Sequence, residues 1–177
     1  MSRPIPSNAI QSPSGNETYV CRVAIGEYSD LYLPGHASRW NGSWHCAAVW
    51  EGESTSYGKP GQFHVLSLPV GCAPLIWHRP NVSDDPFRPD GAITAGCAIG
   101  GSAPISPPIT QCPESCGYCT YPCFSEKAKV LGDYHYDPDD PACFYSVGGV
   151  IGSSIRDFSL LYPPRVPSLL YPPRVPQ

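Results

Sequence analysis

The chain has 177 residues, of which 23 are proline and 17 are glycine, spread along its whole length. Only 15% of the residues are charged and the formal net charge is −4, which argues against a nucleic-acid-binding protein because such proteins carry a basic surface. The frequent prolines and glycines exclude a helical bundle, whereas 41% hydrophobic residues suffice for a core, so we predict an all-β protein.

Short segments rich in β-branched and aromatic residues, bounded by turn-forming residues, predict the strands. They lie at 18–25, 46–50, 63–70, 143–147 and 155–162. The pair Asn41 and Gly42 is the strongest short hairpin signal in the chain. Residues 125–131 (SEKAKVL) are the only helical candidate. This pattern favours a β-sandwich-like fold or a small barrel.

Weak internal similarity divides the chain into two related modules. Cys46 recurs as Cys143 at an offset of 97, and FHVL at 63–66 recurs as FSLL at 158–161 at an offset of 95. We predict a first module at 1–70, which includes an N-terminal arm, and a second, more degenerate module at 71–158 with a cysteine-rich insertion near 101–130.

The C-terminal segment 159–177 consists of two identical nine-residue units, SLLYPPRVP at 159–167 and at 168–176, followed by Gln177. Proline fixes φ and supplies no N–H donor, so an extended proline-rich arm is expected. Its periodicity suggests equivalent docking elements for assembly, with a simple spacer as the alternative. The residues concerned are Tyr162, Pro163, Pro164, Tyr171, Pro172 and Pro173.

Cysteines and glycosylation sequons indicate an oxidising, extracellular environment. Three of the four asparagines stand in sequons, namely Asn16, Asn41 and Asn81. The nine cysteines are the disulfide candidates: Cys21, Cys46, Cys72, Cys97, Cys112, Cys116, Cys119, Cys123 and Cys143. Their odd number leaves one thiol that is either buried or bridged to another molecule. The segment 1–15 lacks the apolar stretch of a signal peptide, so we expect a leader ahead of the numbered chain.

No catalytic motif is found, and we predict a protein that is not an enzyme and holds no cofactor or metal. The four cysteines between 112 and 123 suit a disulfide-knotted loop, with a zinc site as the alternative. The acidic run at 137–140 lacks the glycine and glutamate of an EF-hand and favours a solvated turn over a calcium site. No run of about 18 apolar residues is present, so no membrane span is predicted.

The order of single residues in the first module resembles the DM-nine repeat family, whose members are usually tandem pairs. The resemblance is carried by Pro6 to Ile10, YVCRV at 19–23, DLYLPG at 30–35, Cys46 and FHVL at 63–66. The second module is similar to a degenerate copy, through DGAI at 90–93, Cys143 and FSLL at 158–161.

This resemblance implies a β-sandwich-like pseudo-dimer and binding of mannose-type glycans. It also implies that Asp30 takes part in that binding, and that His36 stands where the family has a lysine. Trp40 and Trp44 are aromatic candidates for stacking on sugars, with ordinary packing as the alternative. Two functional hypotheses follow: a self-assembling structural glycoprotein that binds copies of itself through its terminal arms, and a soluble glycan-binding lectin.

Overall fold

The computed structural model of the chain describes residues 4–24, 32–50, 53–57, 63–68, 74–80, 91–97, 119–135 and 142–164. Every regular element in these ranges is a β-strand, which confirms the all-β prediction. The strands are β1 (Tyr19–Ala24), β2 (Tyr32–Trp40), β3 (Ser43–Trp50), β4 (Glu53–Tyr57), β5 (Phe63–Val65), β6 (Ile76–His78), β7 (Gly96–Cys97), β8 (Cys119–Ser125), β9 (Val130–His135), β10 (Cys143–Val147), β11 (Val150–Ser154) and β12 (Phe158–Tyr162).

The strands form two antiparallel sheets that pack on each other in a sandwich-like arrangement. The first sheet has the order β4-β3-β2-β1-β5, and the second has the order β11-β10-β9-β8-β12-β6, with β7 pairing separately with β8. Thus the first sheet comes from residues 19–65 and the second from residues 76–162. Strands β2 and β3 of the first sheet contact β8, β9 and β10 of the second.

The two sheets repeat the same topology. In each, a four-stranded meander is closed by a fifth strand that returns to pair with the first, so β5 corresponds to β12. The segment TYVC at 18–21 is equivalent in position to TYPC at 120–123. Cys21 lies opposite Gly35 of the next strand, and Cys123 lies opposite Gly132. The offsets of 97 and 95 seen in the sequence therefore relate structurally equivalent strands.

Each sheet carries a disulfide bond that joins its first and third meander strands. Cys21 bonds to Cys46 in the first sheet, and Cys123 bonds to Cys143 in the second. The intervening strand has a glycine opposite the first cysteine, Gly35 or Gly132. A Cβ at either position would overlap a backbone carbonyl of the third strand, so only glycine lets these strands approach so closely.

Among the described residues, three apolar clusters form the interior, and one of them spans both sheets. One cluster belongs to the first sheet around Val23 and Leu33, and another belongs to the second sheet around Tyr134 and Phe158. The shared cluster consists of buried Val20, Phe124 and Leu131 with partly buried Ile10, Leu66 and Trp77 around it. This shared cluster fixes one sheet against the other.

The helix predicted at 125–131 is wrong. Strand β8 ends at Ser125 and β9 begins at Val130, so residues 126–129 form a tight turn. The amide of Lys129 donates to the Ser125 carbonyl at 2.8 Å, and the Ser125 hydroxyl accepts from the Ala128 amide at 3.1 Å. The local helix propensity is overridden because Phe124 and Leu131, the buried residues on either side of the turn, both pack in the cluster that spans the two sheets.

Candidate functional site

The β2–β3 hairpin presents a candidate glycosylation site to solvent. Asn41 and Gly42 have φ values of 50° and 79°, which is the left-handed geometry of a two-residue type I′ turn and confirms the hairpin predicted there. Asn41 is exposed at the tip, and Asn16 is exposed in the turn before β1, so both sequons are accessible. Asn81 lies outside the described residues.

The tryptophans of this hairpin do not form one binding surface. Trp40 is 66% exposed and packs edge-on against His45, with ring centroids 5.9 Å apart. Trp44 is buried, packs edge-on against Tyr19 at 5.6 Å, and has the Arg39 guanidinium 5.5 Å from its ring centre. The alternation of side chains along paired strands puts the two rings on opposite faces of the sheet.

His36 lies between the two sheets instead of on an open surface. Its Nδ1 accepts a hydrogen bond from the Leu131 amide of β9 at 3.3 Å. Burial lowers the pKa of His36 from its ordinary value of 6.5, so the ring is neutral at pH 7 and supplies no positive charge. Asp30, the other residue of the implied glycan site, lies outside the described residues.

A cleft of about 230 Å³ lies where β1 and β5 meet residues 93–95 of the second half. Its lining is mainly apolar, and its polar groups come from Arg22, His64, Ser67 and Thr94. Such a mixture suits a small polar ligand. Sequence reasoning did not single out Arg22, because a lone arginine within a strand carries no motif.

Arg22 also helps to hold the sheets together. Its Nη1 donates to the Ala95 carbonyl at 3.1 Å, and its guanidinium lies 4.2 Å from the centre of the Tyr32 ring. Burial lowers the pKa of Arg22, and the nearby Tyr32 opposes that shift, but an arginine remains charged at neutral pH. A second link runs from the Thr120 hydroxyl to the Tyr32 carbonyl at 2.9 Å.

The remaining disulfide candidates are only partly placed by the structure. Cys97 on β7 and Cys119 on β8 are Cα partners in the antiparallel register. Cys72, Cys112 and Cys116 lie outside the described residues. Together with the bonds of the two sheets, this cysteine usage indicates an oxidising compartment.

The first C-terminal unit does not begin as an extended arm, since residues 159–162 belong to β12. Leu160 and Leu161 are completely buried, and β12 lies between β8 and β6. Tyr162 packs edge-on against His78 with ring centroids 5.8 Å apart, and half-buried Pro163 and Pro164 follow it. Tyr171, Pro172 and Pro173 of the second unit lie outside the described residues.

The described part of the N-terminal segment is attached to the chain's own first sheet. Ile10 donates its amide to the Leu66 carbonyl at 2.9 Å and accepts from the Val20 amide at 2.9 Å. Ala9 forms an isolated antiparallel bridge with Ser67. These bonds attach the described N-terminal residues to the fold of their own chain.

No family model matches the chain, and no curated protein matches it. Within the described ranges, no group of three His, Cys, Asp or Glu side chains is arranged to hold a metal ion. The same part of the chain contains no helix of the length and hydropathy needed to cross a membrane.

Proposed function

We propose that the chain is a secreted, non-enzymatic glycoprotein that assembles with copies of itself into a filament or matrix through its C-terminal arm. The observation that carries the proposal is the repetition of a buried strand. Residues 159–162 form most of β12, and the same SLLY sequence recurs at 168–171. The chain therefore carries a second copy of a sequence that forms a buried strand in its second sheet.

A repeated segment of this kind favours head-to-tail association. Each subunit then gives its second unit to one neighbour and receives a unit from another. Contacts of this type produce open filaments when the rotation between subunits does not close a ring. The disulfides of both sheets and the exposed sequons at Asn16 and Asn41 support a secreted glycoprotein.

The second candidate function is binding of mannose-type glycans, which the family resemblance implies. It is favoured by the cleft beside Arg22 and by the exposed ring of Trp40. It is disfavoured by His36, which is neutral and already bonded to the Leu131 amide. We therefore place self-assembly first.

The size of the secreted protein, measured by light scattering with negative-stain imaging, tests the proposal. We expect the full chain to form extended particles far heavier than the 19.1 kDa monomer. Deleting residues 168–177 should give a folded monomer, because this deletion leaves every described strand intact.

The variant Asp30→Ala is the control that separates the two functions. Under self-assembly its particle size matches that of the parent, whereas under the lectin function it loses binding on a glycan array. A full-length secreted protein that runs as a uniform monomer or small dimer would contradict the assembly proposal.

A further inference from the structure

The four residues of the repeated SLLY sequence make most of the contacts of β12. Leu160 lies opposite Cys123 of β8 and opposite His78 of β6. The Ser159 hydroxyl donates to Glu126 Oε1 at 2.8 Å, and the Leu161 carbonyl accepts from the Ile93 amide at 2.7 Å. Residues 168–171 repeat this sequence and so carry the same side chains for pairing with a strand.

The second unit is nevertheless a poor replacement for the first in the chain's own sheet. Phe158 precedes the first SLLY, is completely buried, and stacks on Tyr134 with ring centroids 5.3 Å apart. Pro167 precedes the second SLLY. Proline offers no N–H to a central strand and no aromatic ring to stack on Tyr134. The first unit therefore suits the β12 position better than the second.

Beside β12 lies β6, whose other side has no strand partner within the part of the chain that the structure describes. Among the described residues β6 is the last strand of the second sheet, and β12 occupies only one of its sides. Ile76 is 47% exposed and His78 is exposed on this edge strand. An edge strand offers backbone N–H and C=O groups to a strand from another chain.

The chain's own second unit is badly placed to reach that edge. To pair antiparallel with β6 on its open side, residues 168–171 would run parallel to β12 with one strand between them. Parallel strands need crossover connections of a dozen or more residues, and only the five residues 163–167 are available. A neighbouring copy has no such restriction.

We propose that the second unit of one copy, residues 168–171, adds as an antiparallel strand to the open edge of β6 in another copy. This inference rests on the proposed self-assembly and identifies the contact through which two copies associate. Backbone pairing at β6 supplies the attachment, and burial of exposed Ile76 by the incoming leucines and tyrosine adds apolar contact. No strand of the acceptor needs to leave its place.

Two charge substitutions at opposite ends of the second sheet test this contact. Ile76→Lys puts a charge on the β6 edge, and we expect it to abolish particles in light scattering while circular dichroism stays like that of the parent. Val150→Lys is the matched control, since Val150 is 71% exposed on β11 at the other edge. It should assemble like the parent. Leu169→Asp should give monomers.

Persistent assembly of Ile76→Lys, together with loss of assembly on deleting 168–177, would overturn the β6 contact and leave self-assembly standing. That result would indicate exchange of β12 itself between copies. A monomeric full chain would refute self-assembly, and the contact would then be tested with a synthetic SLLYPPRVP peptide. The peptide should bind the chain truncated after 167, and Ile76→Lys should abolish that binding. Absence of peptide binding, with a scrambled peptide as control, would refute the contact.

Discussion

His36 shows how one half-buried side chain makes stability depend on pH. Its Nδ1 accepts from the Leu131 amide between the sheets, and its burial disfavours the protonated ring. The pKa in the folded state is thus lower than the ordinary 6.5. The unfolded chain therefore binds more protons than the folded chain as the pH falls through this range.

We predict that the free energy of unfolding decreases as the pH falls from about 6.5 through the lower folded-state pKa, with a slope from this histidine of at most about 1.4 kcal/mol per pH unit. Denaturant titrations between pH 5 and 8 measure the slope. His36→Asn keeps an acceptor near Nδ1 but does not titrate, so its slope should be smaller. An unchanged slope in this variant would show that His36 is not responsible.

At the scale of elements, each sheet contains three adjacent strands of which the outer two are joined by a disulfide bond and the middle one carries a glycine. The Cys21–Cys46 disulfide bond joins β1 and β3 across β2. A Cβ added at Gly35 of β2 would lie 3.1 Å from Cys46 Sγ. Gly132 has the same place in the second sheet. Both sheets therefore use a disulfide bond and a glycine to bring three strands close together.

We predict that Gly35→Ala and Gly132→Ala each lower the free energy of unfolding by about 3 kcal/mol, because the added methyl overlaps a backbone carbonyl that cannot rotate away. Guanidinium denaturation of the oxidised protein measures the change. Gly15→Ala is the control, since its φ is +71° but its Cβ meets nothing within 4 Å. It should cost about 1 kcal/mol. Equal losses in all three variants would refute the steric explanation.

At the scale of the whole molecule, the two halves share an interior. Val20 of the first sheet packs with Phe124 and Leu131 of the second, and Trp77 lies beside Phe124 with ring centroids 6.2 Å apart. Hydrogen bonds from Arg22 to the Ala95 carbonyl and from Thr120 to the Tyr32 carbonyl also connect the two halves. Neither sheet can therefore lose its partner without exposing apolar surface.

We predict that Phe124→Ala destabilises both sheets together by about 3–5 kcal/mol, because it leaves a cavity at their junction. Hydrogen exchange of backbone amides in β2 and β9 measures each sheet separately. Both sets should lose protection to a similar extent, in a single unfolding transition. Retained protection in β2 would instead show that the halves unfold independently.

Several features follow from local sequence, because turn chemistry and strand propensity act over a few residues. The all-β class, the hairpin at Asn41 and Gly42, and the strand at 143–147 are of this kind. The same local reasoning failed at 125–131, where a helical pattern is outweighed by the burial of Phe124 and Leu131 on either side. The TYVC and TYPC match at 18–21 and 120–123 was available in the sequence and was overlooked.

Other features required the folded chain, because they join residues far apart in sequence. Arg22 meets Ala95 across 73 positions, and His36 meets Leu131 across 95, so no local pattern identifies either contact. The proline-rich composition of 159–177 predicts an extended arm, yet 159–162 becomes a buried strand because β8 and β6 satisfy its backbone and cover its leucines. The sequence alone thus determined the all-β class and the repeated C-terminal unit, while packing between distant strands decided that residues 159–162 form a buried strand.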